Sequence, residues 1–212
     1  MPTQELTARE KERLNDGREY RSIVMSARSD EMVVEGYAST FEQPYLLWED
    51  GEIRVYEQIA ANAFDACDMS DVIMQYNHQG RVFARTRNQT LQLITDTVGL
   101  KIVADLSGTE LGKQVYEEVK GGYTDKMSIG FRVEEDERKE ARDPVTGLWI
   151  VTRTIKKIKK LYDVSAVSIP ANDMTSISAR MLADGAIEAA AAERLRRDHK
   201  RKQIKTMLEV FQ

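Results

Sequence analysis

The sequence predicts a mainly β protein of the α+β class, with an antiparallel core of about seven to nine strands, one internal helix and helical tails. Short segments in which apolar and polar residues alternate recur along most of the chain. Turn residues such as Gly, Asn, Asp and Pro separate these segments. Only one internal segment has the apolar spacing of a helix, so strands dominate the predicted core.

The first half of the chain contains most of the predicted strands. The first 19 residues are dense in Glu, Arg and Lys, which predicts a disordered or weakly helical tail. An exposed apolar loop is expected at 45–48, and a short helical turn at 62–65. Strands are predicted over 20–28, 32–41, 54–59, 72–78, 91–95 and 100–106.

The internal helix is predicted over 109–120, because Thr109 can cap its first turn and Gly121 can end it. A long solvated loop is expected at 134–144, where nearly every residue is charged. Two further strands are predicted over 148–158 and 161–169. The lysines at 156, 157, 159 and 160 are expected to face solvent near a strand end, and a phosphate-binding patch is the alternative.

The C-terminal part, 183–212, predicts a basic helix outside the β core. Residues 194–205 contain seven Arg or Lys and one acid. A targeting segment that packs the protein together with a partner would have this composition. A plain dimerisation or solubility helix explains the same residues equally well.

Composition excludes several classes of protein. The net charge of −4 gives no case for nucleic-acid binding by the whole chain. Cys67 is the single cysteine, which excludes an internal disulfide framework and, with only two histidines, argues against a Cys/His zinc site. The sequence contains no run of about 18 apolar residues, and its polar N-terminus does not resemble a signal peptide. These features predict an intracellular protein without a membrane span.

The segment around Ser128 is the first candidate for chemistry. In a strand, Met127, Ile129 and Phe131 would point to one face, and Ser128 and Gly130 to the other. A small hydroxyl is then presented beside a residue that has no side chain, which suits a nucleophile. An ordinary structural serine fits the same pattern.

A serine nucleophile needs a base to take its proton, and that base is usually histidine. His199 lies among charged residues of the predicted tail helix, so elimination leaves His78, where a strand runs into a turn. The base needs a carboxylate to hold its tautomer, and Asp163 lies in an otherwise apolar strand. A water-facing residue at a strand edge explains Asp163 as well.

Three short segments occur in an order that resembles one protein family. They are Tyr76-Asn77-His78 followed by VFAR at 82–85, KMSIGF at 126–131, and LYDVS at 161–165 running to IPAN at 169–172. The opening VEGYA at 34–38 also fits the family. The set is similar to the prohead (capsid maturation) proteases of tailed phages, the HK97-type family related to herpesvirus assemblins, and the likeness covers roughly residues 20–180.

The resemblance implies a serine endopeptidase with an assemblin-like, β-barrel-like fold that uses no metal or organic cofactor. It places Ser128 as the nucleophile, His78 as the general base and Asp163 as the orienting acid. The residue after His78 is Gln, where many relatives have Asp, so contacts there are expected to differ. An oxyanion hole is implied near the backbone amides of Ala171 and Asn172, because the preceding proline has no N–H.

The resemblance also implies partners and a place of action. The substrates would be scaffold, the N-terminal delta segment of the major capsid protein, and the enzyme itself, inside the assembling prohead in the host cytoplasm. A homodimer is consistent, because assemblins dimerise. The implied division of the chain is a tail at 1–19, a protease domain at 20–182 and a basic tail at 183–212.

Two alternatives to a protease stay open. The chain could be a catalytically silent scaffold or capsid-assembly module that binds a partner through its basic tail. It could also be an unrelated β-barrel binding module. In that case Ser128, His78 and Asp163 would be ordinary residues that lie far apart.

Overall fold

The structure is a computed structural model that describes residues 18–28, 31–49 and 51–167, together with positions 192, 195, 196, 199 and 200. The predicted mainly β class with one internal helix is confirmed. The described strands are β1 (Arg18–Ala27), β2 (Val33–Thr40), β3 (Tyr45–Glu49), β4 (Ile53–Ile59), β5 (Ile73–Tyr76), β6 (Gln79–Arg85), β7 (Leu91–Thr95), β8 (Gly99–Asp105), β9 (Lys126–Arg142) and β10 (Trp149–Val167).

Between residues 18 and 167, the described helices are α1 (Glu110–Lys120) and a short 3-10 helix at Thr86–Asn88. Within the described residues, no helix is long and apolar enough to cross a membrane. The predicted tails lie almost wholly outside the described part of the chain. The five C-terminal positions that are described are helical.

The ten strands form one mixed sheet whose main path runs β3-β4-β10-β9-β1-β2-β8-β7. β5 pairs with β10 and with β6, off this path. β10 pairs antiparallel with β9 but parallel with both β4 and β5. Because β10 has neighbours on both edges along most of its length, it is the central strand of the sheet.

The sheet differs from the expected antiparallel, barrel-like core of seven to nine strands. The described part of the chain has ten strands and two parallel pairings, and its main path ends at β3 and β7 without closing into a barrel. Alternating residues fix which face of a strand is buried, but they do not fix its direction or its partner. The parallel partners of β10 lie far away in sequence, so local patterns could not indicate them.

Four expected elements are different in the structure. The loop expected at 45–48 is strand β3, which pairs with β4. Most of the solvated loop expected at 134–144 is the outer half of β9, which ends at Arg142. The strands expected at 148–158 and 161–169 are joined in one strand, β10, and residues 168 and 169 lie outside the described residues. Register shifts lie between Ile155 and Asp163, where a break between two strands was expected.

Charged residues in the outer half of β9 are compatible with a strand because they form ion pairs with lysines of the neighbouring strand β10. Lys157 Nζ lies 2.5 Å from Glu135 Oε2, and Lys156 Nζ lies 3.4 Å from Glu137 Oε2. Lys160 pairs with Asp68 at 2.7 Å. Three of the four lysines expected to face solvent are therefore partly exposed ion-pair members. Their carboxylate partners argue against a phosphate-binding patch.

Helix α1 begins and ends at the predicted residues. Thr109 Oγ1 accepts a hydrogen bond from the Gly112 N–H at 2.9 Å, and Gly121 is the C-cap. The buried face contains Val115 and Val119 and also Tyr116, whose hydroxyl donates to the Arg28 carbonyl at 2.7 Å. The helix is thus fixed to the end of β1, and the chain leaves it directly into β9.

Candidate active site

The side chains of Ser128, His78 and Asp163 form a continuous chain of hydrogen bonds. His78 Nε2 lies 2.8 Å from Ser128 Oγ, and His78 Nδ1 lies 2.5 Å from Asp163 Oδ1. Both pairs of atoms are close enough for direct hydrogen bonds. The fold therefore brings together three residues that are 50 and 85 positions apart in sequence. The arrangement is not expected of a binding module in which these residues are ordinary.

Strands β9 and β10 hold the serine and the aspartate side by side. Across this antiparallel pair, Ser128 lies opposite Ser165, and Gly130 lies opposite Asp163. Met127, Ile129 and Phe131 are fully buried in the main hydrophobic core. Because side chains alternate along a strand, Ser128 points to the other face, as the sequence pattern predicts. Asp163 reaches the same face, and its neighbour across the strands, Gly130, has no side chain to block it.

His78 is placed by the tight turn between β5 and β6. Tyr76 pairs with Gln79, so the two residues between them, Asn77 and His78, make the whole connection. Their φ angles are +49° and +57°. Positive φ at both central residues is typical of type I′ hairpin turns, which favour Asn and Gly. The Asn77 N–H also donates to the Ala166 carbonyl at 2.8 Å, which fixes the turn to β10.

The turn holds His78 in a backbone conformation that is unfavourable for a residue with a Cβ atom. We expect His78→Gly to unfold at a higher temperature than His78→Ala, by about 2–4 °C for a difference of about 1 kcal/mol. Both variants lack the imidazole, so the lost hydrogen bonds cancel in the comparison. Differential scanning calorimetry would measure the two midpoints. Equal midpoints would show that the turn imposes no cost at position 78.

The three side chains are enclosed by protein. Ser128 has no exposed surface, and the side chains of His78 and Asp163 are 7% and 4% exposed. Asp163 is therefore not a water-facing residue at a strand edge. Exclusion of water strengthens the electrostatic interactions along the hydrogen-bonded chain. It also means that a peptide can reach Ser128 Oγ only after the groups that cover it have moved.

Ser165 also belongs to the site, although the sequence reasoning did not select it. Its hydroxyl donates to Asp163 Oδ1 at 2.7 Å. In the sequence, Asp163 and Ser165 alternate with the apolar Val164 and Ala166, both of which are buried in the core. This alternation predicts that the two polar side chains share a face, and it could have indicated Ser165.

Cys67 carries a thiol and is a second possible nucleophile besides Ser128, but it is not suited to the role. Burial raises the pKa of the Cys67 thiol to about 11. A thiol needs to lose its proton to become a strong nucleophile, so Cys67 stays unreactive near neutral pH. Its Sγ lies 3.8 Å from the Asp68 carbonyl oxygen.

Two other residue groups from the sequence analysis are not part of the described site. Ala171 and Asn172, implied as oxyanion-hole amides, lie outside the described residues. His199 is described as an exposed helical position. The chemistry that the described site can perform is nucleophilic attack by a serine hydroxyl, with an imidazole to take its proton and a carboxylate to orient that imidazole.

Comparison with known proteins identifies one family. A family model described as the caudovirus prohead serine protease matches residues 21–188. The match covers most of the chain and includes Ser128, His78 and Asp163. No curated protein matches the chain, and no solved structure matches it.

Proposed function

Because the chain belongs to the caudovirus prohead serine protease family, we propose that Ser128, His78 and Asp163 form the catalytic triad of an endopeptidase that acts during prohead maturation. The observation that carries the proposal is the chain of hydrogen bonds from Ser128 through His78 to Asp163, with distances of 2.8 and 2.5 Å. The proposed substrates are scaffold, the N-terminal delta segment of the major capsid protein, and the protease chain itself.

The proposed reaction is acyl transfer to water through an acyl-enzyme. Ser128 Oγ attacks the scissile carbonyl carbon while His78 Nε2 accepts the hydroxyl proton. His78 then gives that proton to the leaving amine, and the carbonyl carbon stays bonded to Ser128 Oγ. A water molecule, deprotonated in turn by His78, attacks the ester carbon. The bond between that carbon and Ser128 Oγ breaks, His78 returns the proton to Ser128 Oγ, and the carboxylate product leaves. Asp163 accepts the Nδ1–H bond, which leaves Nε2 able to accept a proton from the serine.

The oxyanion that forms in each step needs donors. We keep the backbone N–H groups of Ala171 and Asn172 as the proposed donors, on the strength of the family resemblance. Both follow β10, the strand that carries Asp163, after a short interval. The proposed place of action is the interior of the assembling prohead in the host cytoplasm, with dimerisation as a further proposal.

The test is co-expression of the chain with the major capsid protein of the same phage. Wild type and Ser128→Ala would be compared by intact mass spectrometry of both proteins. We expect specific truncation of the capsid protein, the protease chain or both in the wild-type sample, and full-length masses with Ser128→Ala. The masses also locate the cut sites.

Ser39→Ala is the matched control for the loss of a buried hydroxyl. Ser39 is 2% exposed and lies in β2, and its hydroxyl contacts the Thr40 carbonyl at 3.4 Å. The control is expected to cut as the wild type does. Cleavage that persists in Ser128→Ala would exclude Ser128 as the nucleophile.

A catalytically silent assembly module is the second candidate function. The complete burial of Ser128 favours it, since a residue without a catalytic role has no need of access. Identical full-length masses in wild type and Ser128→Ala, with capsid-like particles present, would support this candidate and contradict the protease.

A further inference from the structure

Ser165 shares the acceptor atom through which Asp163 holds His78. We propose that Ser165 is a positioning residue of the protease, whose hydroxyl fixes the Asp163 carboxylate in the orientation that aligns the imidazole with Ser128. The proposal rests on the proposed function, because it assigns a role within the same site. The proposed role of Ser165 involves no direct contact with substrate.

The geometry places two donors on one carboxylate oxygen. Asp163 Oδ1 lies 2.5 Å from His78 Nδ1 and 2.7 Å from Ser165 Oγ. The terminal torsion of an aspartate is broad, so a single contact would allow the carboxylate to turn about its last bond. A second donor on the same oxygen, from a different direction, restricts that rotation. The oxygen that meets His78 is therefore held in place by its own strand.

Burial makes the Ser165 contact an obligatory one. Ser165 has no exposed surface, and Asp163 is 3% exposed. A buried hydroxyl needs an acceptor and a buried carboxylate needs donors, because water is not there to supply either. Hydrogen bonds to an ionised group are also stronger than those between neutral groups. The Ser165 hydroxyl thus takes a place that water takes at an exposed carboxylate.

The strand register gives Ser165 a fixed relation to the other members of the site. It lies two residues after Asp163 on β10, so both side chains share a face. It is directly opposite Ser128 on β9 and directly opposite Gln75 on β5. With strands on both sides, the Ser165 backbone cannot shift without breaking the ladders that also carry the serine and the histidine turn.

A purely structural role for Ser165 makes a different prediction from a positioning role. If the hydroxyl only supplies a hydrogen bond in the buried interior, its loss lowers the stability of the fold but leaves the reaction rate at Ser128 of folded molecules unchanged. If the hydroxyl positions Asp163, its loss lowers the reaction rate at Ser128 at saturating substrate or probe, with little effect on how tightly that substrate or probe binds. The reactivity of Ser128 separates the two, because it depends on the alignment of His78.

The experiment compares Ser165→Ala with Ser39→Ala, the other buried strand serine. The probe is diisopropyl fluorophosphate, whose reaction with Ser128 is followed by intact mass spectrometry over a range of concentrations. We expect the saturating rate to fall about tenfold in Ser165→Ala, with the half-saturating concentration changed by less than about twofold. Ser39→Ala is expected to react at the wild-type rate, although both variants melt at lower temperatures.

Ser165→Cys removes the strong donor but keeps most of the side-chain volume. It is expected to react as slowly as Ser165→Ala, and its result decides the matter if Ser165→Ala does not fold. A wild-type rate in either Ser165 variant, with a reactive wild-type chain, would overturn the positioning role alone. A wild-type chain that neither reacts with the probe nor cuts the capsid protein would overturn this proposal and the protease together.

Discussion

Replacing Asp163 by Asn is expected to lower kcat for peptide cleavage by about 10⁴-fold, the order found for this change in other Ser-His-Asp sites. The amide is neutral, so it does not stabilise the imidazolium that forms when His78 takes the serine proton. An amide N–H that points at Nδ1 also selects the opposite imidazole tautomer. In that tautomer Nε2 carries the proton and cannot accept one from Ser128.

The measurement is the cleavage rate of a peptide that spans a cut site found by co-expression. Asp65→Asn is the matched control, because Asp65 is exposed and its replacement makes the same change of charge and shape outside the site. We expect the control to retain the wild-type kcat. A rate for Asp163→Asn within about tenfold of wild type would show that this carboxylate is not the orienting group.

The members of the candidate triad could be selected from sequence because few residues competed for each role. The chain has two histidines, and only His78 lies between strand segments. The alternation from Met127 to Phe131 is by itself enough to assign Ser128 to the strand face opposite the apolar side chains. The distances between the three side chains could not be predicted, because they depend on which strands become neighbours.

The parts that could not be predicted are those in which tertiary contacts override local composition. The outer half of β9 is so rich in charge that its sequence resembles a loop, yet ion pairs such as that of Lys157 with Glu135 stabilise it as a strand. The parallel pairing of β10 with β4 and β5 has no local signal at all. A strand is predicted over 72–78, whereas β5 ends at Tyr76 and Asn77 and His78 form the turn. Asn is common in type I′ turns, but His at the other central position is not a typical signal for one.

The arm formed by the outer parts of β9 and β10 together with β3 and β4 contains a buried ion pair. Arg153 Nη1 lies 3.0 Å from Glu57 Oε2, with side-chain exposures of 7% and 0%. Arg153 Nε also donates to Asp136 Oδ2, and the Tyr45 hydroxyl donates to Glu57 Oε1, each at 2.5 Å. The four residues come from four different strands, so this network fixes the lateral register of the arm.

Arg153→Met is expected to lower the free energy of unfolding by about 3–5 kcal/mol. The methionine fills much of the space of the arginine stem but leaves the Glu57 carboxylate buried without the Arg153 charge. The loss is larger than the energy of a surface ion pair, because the carboxylate keeps its desolvation cost when the arginine is removed. Urea unfolding followed by circular dichroism would measure it as a lower midpoint with an unchanged slope.

Lys157→Met is the matched control, since it breaks an ion pair in the same arm whose members are 53% and 54% exposed. Its expected cost is no more than about 1 kcal/mol. The double variant Glu57→Leu with Arg153→Met removes both buried charges and is expected to be more stable than Arg153→Met alone. If the double variant were the less stable of the two, the cost of Arg153→Met would have to come from lost packing. Because Arg153 lies on the strand that also carries Asp163 and Ser165, a slipped β4–β10 register in the single variant would also lower the reactivity of Ser128.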